Sequence, residues 1–481
     1  MRDLSFKGLL LSAFLLTLLA ANAYAQNFVY VDKNNAGSNS VAAFSVAANG
    51  TLTPVVGSPF ATGGLGDGDY QFYAANRART CIVGNRLYVS DDGSNSVSGF
   101  DINPATGALT LVPGSPFATG GQAGNGISLD CTPNGQFLIA ANAGSHNIAV
   151  FSIAANGSLT PVAGSPFFAG GEPDGIRITP NGKFLAAAEP YSDVVAMFSI
   201  AANGSLTPVT GSPFASPAYG GVAGVEINCA GDRLFAAQAS TSGTNLDVFR
   251  IGADGALTLL QTSSNPLVGS NSNVAVLSPN QQFLFVSNQD TDTITVFNVA
   301  ANGTLSLTAG SPFANPGGAM PQQLATNQAG TLLYANNENG TVSVFNVASN
   351  GSLSPVAGSP FAASSGLRPG IAAFPPASCG ASSSFDICLQ DDSNGNLLRF
   401  NSATGEYLFT RCGTGFMLGG TGTVTVRGSV ITLQHNAADR RVLAQIDNAT
   451  HTGKASVQVF SLGTTFTISD RNTANNTCAC P

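Results

Sequence analysis

One short stretch of the chain brings acids, a cation and a candidate base close together. Glu172, Arg177 and Glu189 lie in it, and His146 precedes it. A carboxylate or an imidazole can take a proton from water, and a guanidinium can stabilise the negative charge that develops when water attacks a carbonyl group. His146 or Glu172 is therefore the candidate base, and Arg177 the candidate electrostatic stabiliser. The alternative is that all of these are solvated loop residues, with Arg177 paired to an acid.

Polar residues near this stretch are candidates for ligand binding. They recur at two places along the chain, the start of one strand and the end of the next. The start position holds Asp174, Gly224, Asn273, Gln322 and Gly370, with Asn125 and Arg77 in two less regular copies. The end position holds Asn142, Gln238, Asn288 and Asn336, and in one copy Glu189. We predict that a ligand contacts a subset of these and the adjoining loop, namely Asp174, Glu189, Tyr191, Asp193, Asn273 and Gln322.

The elements that must position these residues are repeated. The phrase "ANGSLTPVAGSPF" at Ala155–Phe167 returns almost unchanged at Ala202. A repeat of about 50 residues is typical of propellers and solenoids. Its "GSPF" anchor begins at Gly57, Gly114, Gly164, Gly211, Gly310 and Gly358, and a degenerate copy, "SNPL", begins at Ser264.

Each repeat predicts four short strands. In one copy these are "DGIRI", "KFLAAAE", "VVAMFSI" and "SLTPV", and the last two are joined by Asn203-Gly204. An Asn-Gly pair supplies the positive φ angles that a two-residue hairpin needs. In a propeller these turns lie on one face, whereas ligands bind at the opposite face, over the central channel. We therefore expect function where the copies differ, above all at Glu172–Asp193.

The two ends of the array complement each other. The chain enters the array at "NFVYVDKN", a second strand, and leaves it at Gly370–Phe374, a first strand. Joining them completes a seventh blade and leaves only short, protected edges. The sequence thus predicts an all-β fold, a seven-bladed β-propeller over residues 26–376 in which the N- and C-terminal strands share a blade.

These motifs resemble a known family. "PNGKFL", "ANGSLTPVAGSPF" and the number of blades are similar to the lactonase family of seven-bladed β-propellers, of the 6-phosphogluconolactonase and cycloisomerase type, and to the related YVTN-repeat surface proteins. The resemblance implies hydrolysis of a lactone over the channel. In that family the strand-start position often carries His after Pro. Here Pro173, Pro321 and Pro369 are present, and no His follows them.

The two ends of the chain carry different signals. Arg2 and Lys7, an apolar run over Leu9–Ala20 and "AYA" at Ala23–Ala25 predict a cleaved export signal at 1–25. A linker is predicted at 377–384. Short alternating segments over 385–481 predict a C-terminal all-β module, a small barrel or sandwich. Export permits disulfides among the eight cysteines, which lie at 81, 131, 229, 379, 388, 412, 478 and 480.

Composition excludes some functions. Only 9% of residues are charged, the net charge is −8, and no basic stripe suits nucleic acid. The three His residues are scattered, so we expect no zinc site. Alternate oxygens at Asp392, Asn394 and Asn396 lack the distal Glu of a calcium loop, and a hairpin explains them better. We expect no metal, no cofactor and no membrane span in the mature chain.

Three functions remain open. The first is an exported, non-catalytic propeller, a monomer that binds a small molecule, a glycan or a protein at the channel mouth, which the amide-rich face favours. The second is a lactone hydrolase, which the repeats favour. The third is a structural protein of the cell surface. Fold alone does not choose among them, because function depends on the site.

Overall fold

The computed structural model describes residues 27–68, 79–124, 126–218, 220–239, 244–265, 271–318, 320–363 and 369–377, and the backbone of eight strands between Ile387 and Asp470. Across these ranges, none of the helices has the length and apolar character that a membrane crossing requires. The chain divides into two compact units, the repeat array and a second unit that contains the eight C-terminal strands.

The repeat array folds into seven antiparallel sheets, which we number as blades 1 to 7 in chain order. The innermost strands of blades 1 to 7 are Gly370–Phe374, Thr80–Val83, Ile127–Cys131, Ile176–Ile178, Val222–Ile227, Ser272–Leu277 and Pro321–Thr326. The second strands are Asn27–Asp32, Arg86–Asp91, Phe137–Asn142, Phe184–Glu189, Arg233–Gln238, Phe283–Asn288 and Leu332–Asn337. The third strands are Gly37–Val46, Ser96–Ile102, Asn147–Ile153, Val194–Ile200, Thr244–Ile251, Thr293–Val299 and Thr341–Val347.

The outer edge of each blade follows the repeated phrase. The fourth strands are Leu52–Pro54, Leu109–Leu111, Leu159–Pro161, Leu206–Pro208, Leu257–Asn265, Leu305–Leu307 and Leu353–Pro355. In six blades a short further strand returns to the third strand, and these are Phe60–Gly66, Phe117–Ala118, Phe167–Phe168, Phe214–Ala215, Phe313–Ala314 and Phe361–Ala362. Blade 5, which carries the degenerate "SNPL", instead has one continuous outer strand that pairs along the third. Two single-turn 3-10 helices, Asp92–Ser94 and Ala143–Ser145, lie between the second and third strands of blades 2 and 3.

The serine of "GSPF" explains why the phrase is repeated. The fourth strand ends a few residues before this serine, at Pro208 in blade 4, so the neighbouring third strand loses a ladder acceptor beyond that point. The serine Oγ replaces it, as where Ser212 accepts a 2.8 Å hydrogen bond from the Met197 N–H. The same bond recurs at Ser58, Ser115, Ser165, Ser311 and Ser359. A buried N–H without an acceptor is costly, so six of the seven blades retain the serine, and blade 5 pairs its outer strand along the third strand instead.

The ring closes as the sequence predicts. The first strand of the array, Asn27–Asp32, pairs with the last, Gly370–Phe374, from Phe28↔Phe374 to Asp32↔Gly370. The prediction of a seven-bladed propeller whose terminal strands share a blade is confirmed. Hydrogen bonds between these two strands join the beginning and the end of the array within one blade.

The hydrophobic core lies between blades. Side chains alternate along each strand, so successive residues face opposite neighbours. In blade 4, Leu185 and Ala187 pack against blade 3, while Ala186 and Ala188 pack against blade 5. Seven such clusters follow one another around the ring. Burial of each large aliphatic side chain contributes about 1.5–3 kcal/mol, which makes the blade contacts the main source of stability.

The eight C-terminal strands form a closed antiparallel barrel in chain order. They are Ile387–Asp391, Leu397–Phe400, Glu406–Arg411, Phe416–Arg427, Val430–His435, Val442–Asp447, Thr452–Val459 and Leu462–Asp470. The last strand pairs with the first, Leu389 opposite Asp470. Of the two architectures expected for this module, barrel or sandwich, it is therefore the barrel.

Cysteines in the propeller are oxidised. Cys81 of blade 2 and Cys131 of blade 3 form a disulfide between neighbouring innermost strands. Cys229 is disulfide-bonded as well. The predicted export signal at 1–25 also lies outside the described residues.

Candidate functional site

One residue of each innermost strand occupies the same place in its blade, and we call this set the channel ring. Each lies opposite a buried residue in the middle of the second strand, as Arg177 lies opposite Ala186 and Glu226 opposite Phe235. The channel ring consists of Cys81, Asp130, Arg177, Glu226, Val276, Ala325 and Ala372. All but Cys81 are half-buried between buried neighbours. Neighbouring blades cover both faces of each sheet, so the exposed part of these side chains faces the channel.

Side chains of the channel ring point toward the next blade. An innermost strand is a sheet edge, and its free N–H groups need acceptors. Asp130 of blade 3 accepts from the Ile178 N–H of blade 4 at 2.7 Å and from the Cys131 N–H at 2.9 Å. Glu226 of blade 5 accepts from the Leu277 N–H of blade 6 in the same way. The two carboxylates thus line the channel wall and also link consecutive blades.

Arg177 lies between these two acids. Its Nη2 is 2.7 Å from Glu226 Oε2, and the Asp130 carboxylate also attracts it. Burial raises the pKa of Glu226, and Arg177 offsets part of that effect. Burial likewise raises the pKa of Asp130, again opposed by Arg177. The three side chains therefore form a half-buried group with one more acid than base.

The arrangement supplies two components of hydrolysis. A carboxylate whose pKa is raised toward neutrality is a better general base. The Arg177 side chain keeps 31% of its surface exposed, although its Nε is buried. The exposed part of a guanidinium can stabilise an oxyanion. Asp130 and Glu226 do not appear among the residues selected from the sequence. The available signal was a charged residue in the middle of an otherwise apolar strand, in "SLDC" and "VEIN".

A second polar group, also missed from the sequence, lies where blades 1 and 2 meet. Arg79 forms a salt bridge with Asp92, and both are almost fully buried. Asp32 accepts from Asn39 Nδ2 at 2.9 Å, and the same Nδ2 donates to Asp91 at 3.0 Å. Burial raises the pKa of Asp32 to about 8 despite the nearby Arg79. The signal for this group was that the second strands of blades 1 and 2 end in acids, whereas most of the others end in amides.

Asp91 is held more firmly than Asp32. Its Oδ1 accepts from the Thr62 hydroxyl at 2.7 Å, and its Oδ2 from the Ser98 hydroxyl at 2.5 Å. Burial raises the pKa of Asp91 to about 6, and these hydrogen bonds limit the rise. Because every member of this group is closed off from solvent, we assign it to positioning the blades rather than to contact with a ligand.

His146 and Asp193, two of the residues selected from the sequence, occupy a repeated turn. In several blades the residue just before the third strand has a left-handed conformation, with φ of 53° at His146 and 49° at Asp193. Asn95 and Asp292 take the same position in blades 2 and 6. The backbone oxygen at this position accepts a hydrogen bond from the residue that follows the short further strand, as His146 does from the Ala169 N–H at 2.9 Å. Both side chains are exposed, and their backbone role is structural.

The other residues of blade 4 that the sequence predicted for the site differ in how far they are buried. Glu189 is 4% exposed and accepts from the Gly171 N–H at 3.2 Å, and burial raises its pKa. Asp174 is buried, Glu172 is half-buried in the loop, and Tyr191 is exposed. Arg177 alone of the blade 4 residues selected from the sequence lies in the channel ring. Its partners Glu226 and Asp130 come from the flanking blades.

The amide residues that the sequence predicted for ligand binding in blades 6 and 7 differ in what the structure describes of their surroundings. Gln322 is fully buried, donates to Glu338 Oε1 at 2.8 Å and accepts from Gln289 Nε2. Asn273 belongs to the innermost strand Ser272–Leu277, and its side chain lies outside the described residues, as do Arg77 and Asn125. Gly370 packs tightly, since a Cβ there would lie 2.8 Å from the Arg79 Cβ.

Among the described side chains, no cluster of three or more His, Cys, Asp or Glu is arranged to hold a metal ion.

Comparison with known proteins agrees with this architecture. The family model described as "Lactonase, 7-bladed beta-propeller" matches residues 25–223 and 242–366. A putative 6-phosphogluconolactonase from Bacteroides fragilis aligns with a TM-score of 0.58 and 21% identity, over 73% of this chain and 99% of its own. A second, from Bacteroides uniformis, gives 0.58 and 19% over 72% and 99%. The periplasmic gluconolactonase of Pseudomonas aeruginosa gives 0.54 and 19% over 70% and 97%. No curated protein matches the sequence.

Proposed function

Because this chain belongs to the lactonase family of seven-bladed β-propellers, we propose that it hydrolyses lactones in the central channel. The observation that carries the proposal is the 2.7 Å pair of Arg177 and Glu226, half-buried on neighbouring innermost strands. Glu226 is the general base and Arg177 the oxyanion stabiliser. Asp130 is a positioning residue that holds Arg177 from the other side.

The reaction follows from these roles. Glu226 takes a proton from a water molecule, and the resulting hydroxide attacks the lactone carbonyl carbon. The carbonyl oxygen gains negative charge, which the Arg177 guanidinium stabilises. The intermediate then breaks the ring C–O bond, and the departing alkoxide takes the proton back from Glu226. The product is a hydroxy acid, and Glu226 returns to its ionised form.

This assignment differs from the sequence-based hypothesis in one respect. Arg177 keeps its role as stabiliser. The base role passes from His146 or Glu172 to Glu226, since Glu226 is the carboxylate in contact with Arg177. His146 lies instead at an exposed turn.

The test is hydrolysis of a panel of δ- and γ-lactones by the purified protein, followed by acid release. We expect Glu226→Gln to lower kcat at least about 100-fold and Arg177→Met about 100- to 1000-fold, the usual losses for a general base and an oxyanion donor. Arg86→Gln is the matched control, because Arg86 forms a 3.0 Å ion pair with the more exposed Asp101 away from the channel. A folded protein that hydrolyses no lactone but retains a glycan on an array would favour the binding function instead.

We also infer that the protein is exported. The Cys81–Cys131 disulfide supports this, because such bonds persist in oxidising compartments. Fractionation of cells that produce the full chain tests it. Recovery of the protein only from the cytoplasm, with Cys81 and Cys131 reduced, would contradict the inference.

A further inference from the structure

Building on the proposed lactone hydrolysis, we infer that the substrate is an uncharged lactone with an aliphatic substituent, and that a phosphorylated lactone is disfavoured. The inference rests on the two unlike sides of the channel ring. One side carries Asp130, Arg177 and Glu226, and the other Val276, Ala325 and Ala372.

The charged side suits a neutral ester. Arg177 is flanked by two carboxylates, so the group carries a net negative charge when both are ionised. A single polarised carbonyl oxygen can approach the guanidinium without meeting these acids. A phosphate dianion would have to lie close to Asp130 or Glu226 as well, and like charges at such range repel. Sites that bind phosphate normally offer it more than one unopposed cationic or N–H donor.

No other cation on the described innermost strands offsets the negative charge of these two carboxylates. Arg177 is the one Lys or Arg within the seven innermost strands of the described propeller. Arg79, immediately before the strand of blade 2, is buried, bonded to Asp92 and attracted also by Asp67 and Asp32. Acids therefore outnumber the cation at both described arginines near the channel, which leaves no described cation there free for a phosphate.

The apolar side suits a hydrocarbon group. Val276, Ala325 and Ala372 are short, half-buried and without polar side-chain atoms. They belong to blades 6, 7 and 1, which follow one another around the ring and lie across the channel from Arg177. Small-ligand sites commonly combine a few placed polar groups with an apolar wall. A lactone whose carbonyl oxygen contacts Arg177 would place its substituent against this wall.

Three substrates separate the alternatives, namely a δ-lactone with an alkyl side chain, δ-gluconolactone and 6-phospho-δ-gluconolactone. We expect kcat/KM to be highest for the alkyl lactone and at least about tenfold lower for the phosphorylated one, because the carboxylates repel its phosphate and it has no alkyl group to contact the apolar side. Equal or faster turnover of the phosphorylated lactone overturns the inference while supporting lactone hydrolysis.

A charge placed on the apolar wall gives the second arm. Val276→Lys is expected to raise the ratio of kcat/KM for the phosphorylated lactone over the alkyl lactone by about tenfold or more. Val276→Met, which matches the length without the charge, should leave that ratio within a fewfold of wild type. The same shift in both variants would contradict the assigned role of the apolar side.

Calorimetric binding of the alkyl δ-lactam, which resists hydrolysis, separates this inference from the proposed function. Lactam binding that Val276→Lys weakens, without turnover of any lactone, would overturn the catalytic proposal and support the apolar wall. Turnover of lactones with no lactam binding and no preference among the three substrates would support lactone hydrolysis and overturn the role of the apolar side in substrate choice.

Discussion

Arg177 on the innermost strand of blade 4 lies 2.7 Å from Glu226 on the innermost strand of blade 5, so that an ion pair bridges the channel wall between two blades. Each partner alters the chemistry of the other. Burial raises the pKa of Glu226, and the guanidinium opposes that rise. The carboxylate in turn keeps Arg177 charged inside the protein.

The pair predicts a characteristic pH dependence of lactone hydrolysis. Activity requires ionised Glu226, so kcat/KM should rise with pH through an inflection above the ordinary value for Glu. Arg177→Gln removes the opposing cation, and the inflection should move to still higher pH in addition to the loss of rate. The measurement is kcat/KM from pH 4 to 9 for both proteins. An inflection that moves to lower pH in the variant would contradict the pairing.

Asp32 predicts a pH dependence of stability. Burial raises its pKa to about 8, while an unfolded Asp has a pKa of about 4. Between these values the folded state keeps a proton that the unfolded state releases. The stabilising effect is therefore complete below about pH 4 and declines as pH rises toward 8. The Asn side chain in Asp32→Asn does not titrate. The free energy of unfolding of the variant should therefore rise relative to that of the wild type as pH increases from about 4 to 8.

Urea denaturation of both proteins at pH 5 and pH 9 tests the Asp32 prediction. Asp91, whose pKa is about 6, shares the Asn39 amide with Asp32, so the comparison reports the two coupled carboxyl groups together. A constant difference between the two proteins at both pH values would show that Asp32 titrates normally in the folded state.

Loss of the Cys81–Cys131 disulfide should destabilise the propeller. The bond closes a loop with a sequence separation of 50 and joins two neighbouring innermost strands. Cross-links of this kind stabilise by about 2–4 kcal/mol, chiefly through the unfolded state. The double variant Cys81→Ala/Cys131→Ala should lose that amount in guanidinium denaturation. Reduction of the wild type is less informative because Cys229 is also oxidised. An unchanged midpoint would argue against the bond.

Ser212 should contribute more to the stability of the propeller than its partial exposure suggests. It is half-buried, and its Oγ accepts a 2.8 Å hydrogen bond from the N–H of the buried Met197. Ser212→Ala leaves that buried donor without an acceptor, at a cost of about 1–3 kcal/mol. Ser199→Ala is the matched control, because its exposed hydroxyl only donates to the Thr207 carbonyl at 3.2 Å. Equal effects of the two substitutions on thermal unfolding would refute the role assigned to the repeated serine.

The sequence predicted the fold more fully than the site. Turn chemistry and strand alternation are local, and the repeat shows them several times, so the number of blades and the shared closing blade follow from residue order. The one blade with a degenerate anchor, blade 5, is also the one in which the outer strand runs on without a break. Of the residues proposed for function, Arg177 lies in the channel ring, whereas His146 and Asp193 lie in a repeated turn.

By itself, then, the sequence determined the propeller, because hairpins and blade contacts depend on residues near each other or one repeat apart. The tertiary structure decided which charges meet. Asp130, Arg177 and Glu226 are each about one repeat from the next, and closing the ring brings equivalent positions on neighbouring blades together. Burial in the channel wall then raises the pKa of Glu226 beside Arg177, an effect that depends on neighbours from three blades.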